Sequence, residues 1–164
     1  MGMSYARGFT ELIVYQRAKA ASRAVFRLST SFPREEIYSL TDQLRRAVRS
    51  IGAQVAEAWA KRRYEKHFAS KLTDADGEQM ETQHWVGEAL DCGYITAAQA
   101  AELMSALAEI GRMLGAMVAR SDSFCNDHAQ HLRETPPEYF IDGQPIDTGD
   151  LGTATHDSSV VDHR

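Results

Sequence analysis

LTDQLRRAVRSIGAQVAEAWAKRRYEKHFASK, residues 40–71, is the stretch that decides the fold. Up to about residue 60 its apolar residues recur every three or four positions, which predicts a helix with one buried face. That face consists of Leu40, Leu44, Ala47, Ile51, Val55 and Ala58. Another side of the same helix carries Gly52, Ala53, Ala56 and Ala60. Because small side chains let a second helix approach closely, we predict that these four residues form an oligomer interface.

Three further segments show the same periodicity, and four helices with short connections predict an all-α, antiparallel up-down four-helix bundle. The predicted helices cover about residues 10–28, 39–60, 65–91 and 96–120. Two core positions of the third helix are polar, Gln79 and Thr82. We therefore expect this helix either to form hydrogen bonds across the bundle or to meet a neighbouring helix closely.

Start and stop signals mark the ends of these helices. Thr10 is the predicted N-cap of the first helix. Ser39 and Thr96 each stand three residues before an acid or an amide, which is the spacing of a capping box. Gly93 follows the third helix, where a left-handed residue ends many helices.

The acidic charge of the chain is concentrated after residue 120. Residues 121–164 contain nine acidic and two basic residues, a net charge of −7, so residues 1–120 carry +2 of the total of −5. Helical periodicity is lost there and Pro and Gly recur. We predict a bundle domain at residues 1–120 and a mostly disordered acidic tail at residues 121–164. Such a tail either keeps the protein soluble or folds back over a basic surface as an autoinhibitor.

Several classes of protein are excluded by composition. The chain has no run of about 18 apolar residues, and its N-terminal apolar patch is too short for a signal peptide, so we expect no membrane partner. Two distant cysteines, Cys92 and Cys125, indicate a reduced, cytoplasmic protein. Glu81 and His84 have the spacing of half a di-metal site, but the second pair is missing. We expect no metal and no cofactor.

Positive charge clusters on and just after the second helix. The candidate nucleic-acid-binding residues are Arg45, Arg46, Arg49, Lys61, Arg62, Arg63 and Lys66. Repeated around a ring, such a cluster would attract phosphates through counterion release. Alternatively, the three arginines inside the helix pair with acids of neighbouring subunits, including Glu57. In the turn that follows the helix, Tyr64 and His67 either stack on bases or only cap the turn.

Arg62 and His67 also have the spacing found in a class of all-helical, metal-independent ribonucleases. In such an enzyme Arg62 would steady the phosphate and His67 would act as acid or base. Any basic helix–turn segment produces this spacing by chance, and no phosphate loop or nucleophile elbow accompanies it. Catalysis is therefore the alternative, and a non-enzymatic protein is the leading expectation.

A set of short segments carries a family resemblance through its order and spacing. The segments are FTEL (9–12), FP (32–33), LTDQLRRA (40–47), SI (50–51), AE (56–57), ADGE (75–78), ETQHW (81–85) and CGY (92–94). Together they resemble the four-helix-bundle family typified by the 23S rRNA intervening-sequence proteins, which is similar to the accessory protein of diversity-generating retroelements. The resemblance covers residues 9–118 and leaves out the tail.

The resemblance implies a four-helix protomer that assembles into a cyclic homopentamer and has no agreed catalytic residues. The retroelement relatives imply that a basic surface binds RNA or DNA and a reverse transcriptase. The family usually has Asn at the position of Gln54 in this chain. A purely structural oligomer, whose basic ring binds some other anion, is the remaining alternative.

Overall fold

Each apolar stripe of the sequence forms one long helix of the structure. A computed structural model describes residues 6–125 and the backbone of residues 140–141 and 144–145. The helices are α1 (Ile13–Ser29), α2 (Leu40–Lys61), α3 (Glu65–Asp91) and α4 (Ala97–Ala119), and short 3-10 turns lie at Phe9–Glu11 and Arg34–Glu36. Short connections fold each helix back along its predecessor, which confirms the predicted all-α, antiparallel up-down four-helix bundle.

The predicted stripes converge on one core. Every predicted face position of α2 is buried. The repeats of the other helices are buried as well, at Phe68, Leu72, Ala75, Gln79, Thr82, Val86 and Ala89 in α3, at Ala100, Leu103, Leu107, Ile110, Leu114 and Met117 in α4, and at Val14, Ala18, Ala21 and Val25, though not Leu28, in α1. Phe68, Ile51 and Leu107 are among the largest side chains that are fully buried. Full burial of such a side chain contributes roughly 1.5–3 kcal/mol to stability, so the shared core is what holds the four helices together.

The two polar core positions of α3, Gln79 and Thr82, lie where α3 and α4 approach each other closely. Thr82 donates its hydroxyl hydrogen to the carbonyl oxygen of Glu78 on its own helix, at 2.7 Å. On α4, a Cβ placed on Gly111 would lie 3.3 Å from Oε1 of Gln79 and 3.3 Å from Oδ1 of Asp76. Of the two expectations for these positions, the close approach of a neighbouring helix is the one observed, and that helix is α4 of the same chain.

Two of the three predicted caps are wrong. Thr96 and Gln99 form the predicted capping box at the start of α4. Thr10 lies inside a 3-10 turn, and α1 starts after Leu12 without a side-chain cap. The side chain of Ser39 does not cap α2, because its hydroxyl donates to the carboxylate of Glu36 instead.

The left-handed conformation of Gly93 is confirmed, with φ at 73°. Both cysteines, Cys92 and Cys125, are free thiols. Within residues 6–125, no helix combines the length and the apolar character that crossing a bilayer requires.

Most of the predicted tail lies outside the described residues, so its disorder stays a prediction. The described exception within residues 126–164 is a two-stranded antiparallel ladder, in which β1 (Phe140–Ile141) pairs with β2 (Gln144–Pro145). Ahead of it, residues 121–125 are helical. The ring of Phe124 stacks on that of Phe68, with 5.6 Å between the centroids. The packed part of the chain therefore continues past residue 120, the boundary predicted from sequence.

Candidate functional site

The helix α2 separates the predicted basic residues into two groups. The helix arginines are Arg45, Arg46 and Arg49, and the basic turn comprises residues 61–67. Lys61 follows Arg49 by twelve positions, which is about 18 Å along the helix at 1.5 Å per residue. One protomer therefore does not present all seven cations as a single patch.

The helix arginines are partly engaged within the protomer. Arg45 donates from Nε to the hydroxyl oxygen of Ser29 at 2.7 Å, and its guanidinium lies 4.9 Å from the centre of the Phe26 ring. Arg46 pairs with Asp42 of the same helix at 3.7 Å. Arg49 is exposed, and the described residues offer it no acid within ion-pair distance.

Glu57, the predicted partner of the helix arginines, is occupied by lysines of its own chain. Lys71 of α3 lies 3.0 Å from Glu57 and 3.2 Å from Asp74. These hydrogen bonds, the one to Glu57 first, raise the pKa of the Lys71 ammonium. Lys71 also donates to Gln54 at 3.1 Å, and Lys61 lies 3.9 Å from Glu57. The charge of Glu57 is thus balanced by two lysines, and one of them, Lys61, belongs to the basic turn.

The backbone of the basic turn is held by hydrogen bonds between α2 and α3. The amide of Tyr64 donates to the carbonyl oxygen of Lys61 at 2.9 Å. The carbonyl oxygen of Tyr64 in turn accepts from the amides of His67 and Phe68, both at 3.0 Å. Tyr64 is therefore the N-cap residue of α3, in an extended conformation that turns the chain between two antiparallel helices.

Arg62 points back onto α2. Its guanidinium stacks over the Trp59 ring at 4.0 Å and donates to the Trp59 carbonyl oxygen at 2.6 Å. Burial lowers the pKa of Arg62, although the guanidinium stays protonated because its reference pKa is so high. Arg62, a candidate nucleic-acid-binding residue, is therefore only partly exposed, because an indole face three residues earlier attracts and covers the cation.

The second local acid, Glu65, is engaged by the residues that follow α4. The hydroxyl of Ser121 is buried and donates to Glu65 at 2.7 Å. Burial and the charge of Glu65 raise the pKa of the neighbouring Cys125 thiol. Arg63 and Lys66 are left as exposed cations for which the described residues provide no ion-pair partner.

Two exposed rings complete the basic turn. The Tyr64 side chain is 61% exposed, and the His67 ring lies beside it with 5.7 Å between centroids. Arg62 is stacked on Trp59 while His67 contacts Tyr64, so the two residues of the ribonuclease alternative have different partners.

The half di-metal motif forms an aromatic contact. Glu81 accepts a hydrogen bond from the Trp85 indole at 3.0 Å, and the His84 ring lies 4.7 Å from the Trp85 ring. Across residues 6–125, no group of three or more His, Cys, Asp or Glu side chains is arranged to hold a metal ion.

The small-residue face of α2 is narrower than predicted. Gly52 is buried inside the protomer, and a Cβ at that position would lie 3.6 Å from the Tyr15 ring of α1. Gly52 is therefore a contact between α1 and α2, not part of an open interface. Ala53 and Ala60 are exposed and Ala56 is partly exposed, so these three alanines form the small face that remains open.

Residues 10–116 match the sequence profile of the 23S rRNA-intervening sequence proteins. The chain belongs to this family. The match spans α1 to α3 and nearly all of α4, and it includes the basic turn but not residues 121–125.

A solved structure with the same fold comes from Bacteroides thetaiotaomicron, a protein of unknown function from the S23 ribosomal protein family. It has a TM-score of 0.60 and 24% sequence identity, and the alignment covers 65% of this chain and 96% of that one. A comparison with curated proteins finds no match.

Three contributors to the site were missed at the sequence level: Trp59, Ser121 and Phe124. The spacing of Trp59 and Arg62, three residues apart on a helix, was a usable signal for their stacking. Ser121 and Phe124 follow the last apolar repeat of α4, and five residues are too few to show periodicity.

A groove between α1 and α4 was also not predicted. It has a volume of about 420 Å³, and its walls carry small residues together with charged ones. Arg17 and Glu109 form an ion pair across the two helices at 3.4 Å. Arg27 and Glu102 also line the groove, so its walls carry two positive and two negative side chains and show no net preference for an anion.

Proposed function

We propose that this protein of the 23S rRNA-intervening sequence family is a non-enzymatic accessory protein that binds nucleic acid through its basic turn. The observation that carries the proposal is the local charge balance at the end of α2. Glu57 is paired with lysines, and the carboxylate of Glu65, which keeps its charge, is held by the Ser121 hydroxyl. Arg63 and Lys66 are therefore exposed cations to which the described residues give no ion-pair partner. Two cations on a convex turn suit phosphate contacts.

Assembly strengthens this interface. We propose a homopentamer in which Ala53, Ala56 and Ala60 approach a neighbouring protomer. A ring repeats the basic turn five times, and the summed field raises the local concentration of a polyanion far more than one protomer does. The family resemblance supports the number five, and the open alanine face supports the position of the contact.

The assembly is tested by light scattering on the purified chain. We expect a particle about five times the 18.3 kDa mass of the chain. Ala56→Glu should dissociate it, because a buried carboxylate at a close helix contact has no partner. A wild-type chain of monomeric mass would overturn the ring.

Nucleic-acid binding is tested by charge reversal. The double variant Arg63→Glu/Lys66→Glu should lose most of its affinity for a labelled 20-nucleotide RNA in a gel shift at low salt. The matched control is Lys19→Glu/Arg23→Glu, which makes the same change of charge at exposed positions of α1. Equal losses in both variants would show that only net charge matters and would overturn a site at the turn.

A reverse transcriptase is the proposed protein partner, and the support for it is the resemblance to retroelement accessory proteins. Affinity capture of the native protein with and without nuclease tests this. A reverse transcriptase that stays bound after nuclease treatment supports direct contact, and its loss shows that nucleic acid bridges the two. RNA cleavage that His67→Ala abolishes would instead support the ribonuclease alternative.

A further inference from the structure

We infer that the basic turn recognises single-stranded nucleic acid, with the Tyr64 ring as a platform on which an unpaired base stacks. The inference rests on the proposed function, since it names the form of nucleic acid that the same site takes. It arises from the placement of an exposed aromatic ring between two exposed cations.

The Tyr64 ring is presented to solvent on a fixed backbone. It is 61% exposed, although the amide and carbonyl groups of its residue make three hydrogen bonds of 2.9–3.0 Å that join α2 to α3. Because the backbone is fixed and a tyrosine side chain has only two torsion angles, the ring loses little conformational freedom when a ligand covers it. The turn therefore offers an apolar face that is ready for stacking.

Trp59, a second large aromatic residue near the turn, is not available in the same way. Trp59 is partly buried against the core, and the guanidinium of Arg62 covers its ring at 4.0 Å. The His67 ring lies beside Tyr64, tilted by 50° to it, and so borders the platform without extending its plane. Stacking at this end of the bundle therefore falls to Tyr64, with His67 at its edge.

The cations are placed next to the ring. Arg63 directly precedes Tyr64, and Lys66 follows it within the first turn of α3. A base that stacks on Tyr64 brings its own phosphates to the neighbourhood of these two side chains. Stacking platforms bordered by basic residues are the usual means by which proteins hold single strands without reading their sequence.

A duplex does not use this arrangement. Its bases stack on one another and show only their edges in the grooves, so a convex turn reaches phosphates but no base face. The cations therefore contribute to both forms of nucleic acid, whereas the Tyr64 ring contributes only to the single strand. This difference separates the inference from the proposed function.

Fluorescence anisotropy with two labelled probes tests it, one a 20-nucleotide single strand and the other a 20-base-pair duplex. Tyr64→Ala should weaken single-strand binding by between about fivefold and a hundredfold, the range expected for one stacked base. The same variant should change duplex binding less than twofold. Tyr64→Phe keeps the ring and should bind both probes like wild type, and Tyr64→Leu should behave like Tyr64→Ala.

Tyr38→Ala is the matched control, because Tyr38 is 94% exposed in the connection at the opposite end of α2. It should leave both affinities unchanged. Equal losses on the two probes for Tyr64→Ala, or no loss on either, would overturn the stacking role. The proposed function would survive that result if Arg63→Glu/Lys66→Glu still weakened both probes. A wild-type protein that binds neither probe would overturn both proposals.

Discussion

Phe124→Ala tests whether residues 121–125 belong to the folded unit that shapes the basic turn. Phe124 is partly buried and stacks on Phe68, which is fully buried in α3. A stacked aromatic pair contributes about 0.5–1.5 kcal/mol beyond its burial. Complete truncation of a buried Phe costs about 3–5 kcal/mol, and a half-buried ring loses a smaller part of that. We therefore expect Phe124→Ala to lower the free energy of unfolding by about 2 kcal/mol.

The assay is urea unfolding followed by circular dichroism. With a denaturant slope of about 2 kcal/mol per M for a domain of this size, a loss of about 2 kcal/mol moves the midpoint by about 1 M. Phe26→Ala is the control, since Phe26 is an exposed residue of α1 whose ring contacts the guanidinium of Arg45. It should cost less than about 1 kcal/mol.

The same variant has a consequence for binding. Loss of the Phe124 anchor loosens Ser121, and the carboxylate of Glu65, no longer held by the Ser121 hydroxyl, is then free to approach Arg63 and Lys66. Affinity for nucleic acid should fall by a few-fold at low salt. If Phe124→Ala were as stable as wild type to within about 0.5 kcal/mol, the packing of residues 121–125 on α3 would be refuted, and with it the account of how Ser121 holds Glu65.

Three other predictions can be checked with standard assays. The hydrogen bonds that Glu36 accepts from Ser39, Leu40 and Tyr94 lower its pKa. Its contribution to stability is therefore present above the unfolded carboxyl pKa and is lost as the pH falls through the folded pKa. Glu36→Gln should make the stability measured by circular dichroism depend less on pH in this range. Gly52→Leu should destabilise the monomer by about 1–3 kcal/mol in urea melts, because the new side chain meets the α1 ring packed there. Removing residues 126–164, which hold eight acidic and two basic residues, should raise nucleic-acid affinity in gel shifts, since a like charge is removed.

Most of the fold could be predicted because the buried face of each helix appears in the sequence as apolar residues that recur every three or four positions. The stripes of α2, α3 and α4 contain six or seven positions each, and one core satisfies all of them. Helix caps depend on single residues, so they are predicted less reliably than helix faces. Ser39 has capping-box spacing, yet Glu36 lies in the preceding turn and its carboxylate accepts from both the Ser39 hydroxyl and the Leu40 amide. A pattern within one helix cannot show such a competitor.

The candidate site could be predicted in outline only. Small residues look the same in sequence whether they approach a helix of their own chain or of another, so Gly52 gave no sign of the Tyr15 ring that covers it. The positive charge of Arg62 was evident from the sequence, but the direction in which its side chain points depends on the Trp59 ring. The sequence did not show how the acids of the turn are held, because the hydroxyl that binds Glu65 belongs to Ser121, 56 residues later in the chain.

The salt dependence of single-strand affinity tests the central claim most directly, namely that Arg63 and Lys66 contact phosphates. Each phosphate contact on a single strand contributes a slope of about −0.7 to the logarithm of the association constant against the logarithm of the salt concentration. The slope for Arg63→Glu/Lys66→Glu should be shallower than that of wild type by about 1.4 for each protomer in contact with the strand. Slopes that are the same for the two proteins would contradict the account.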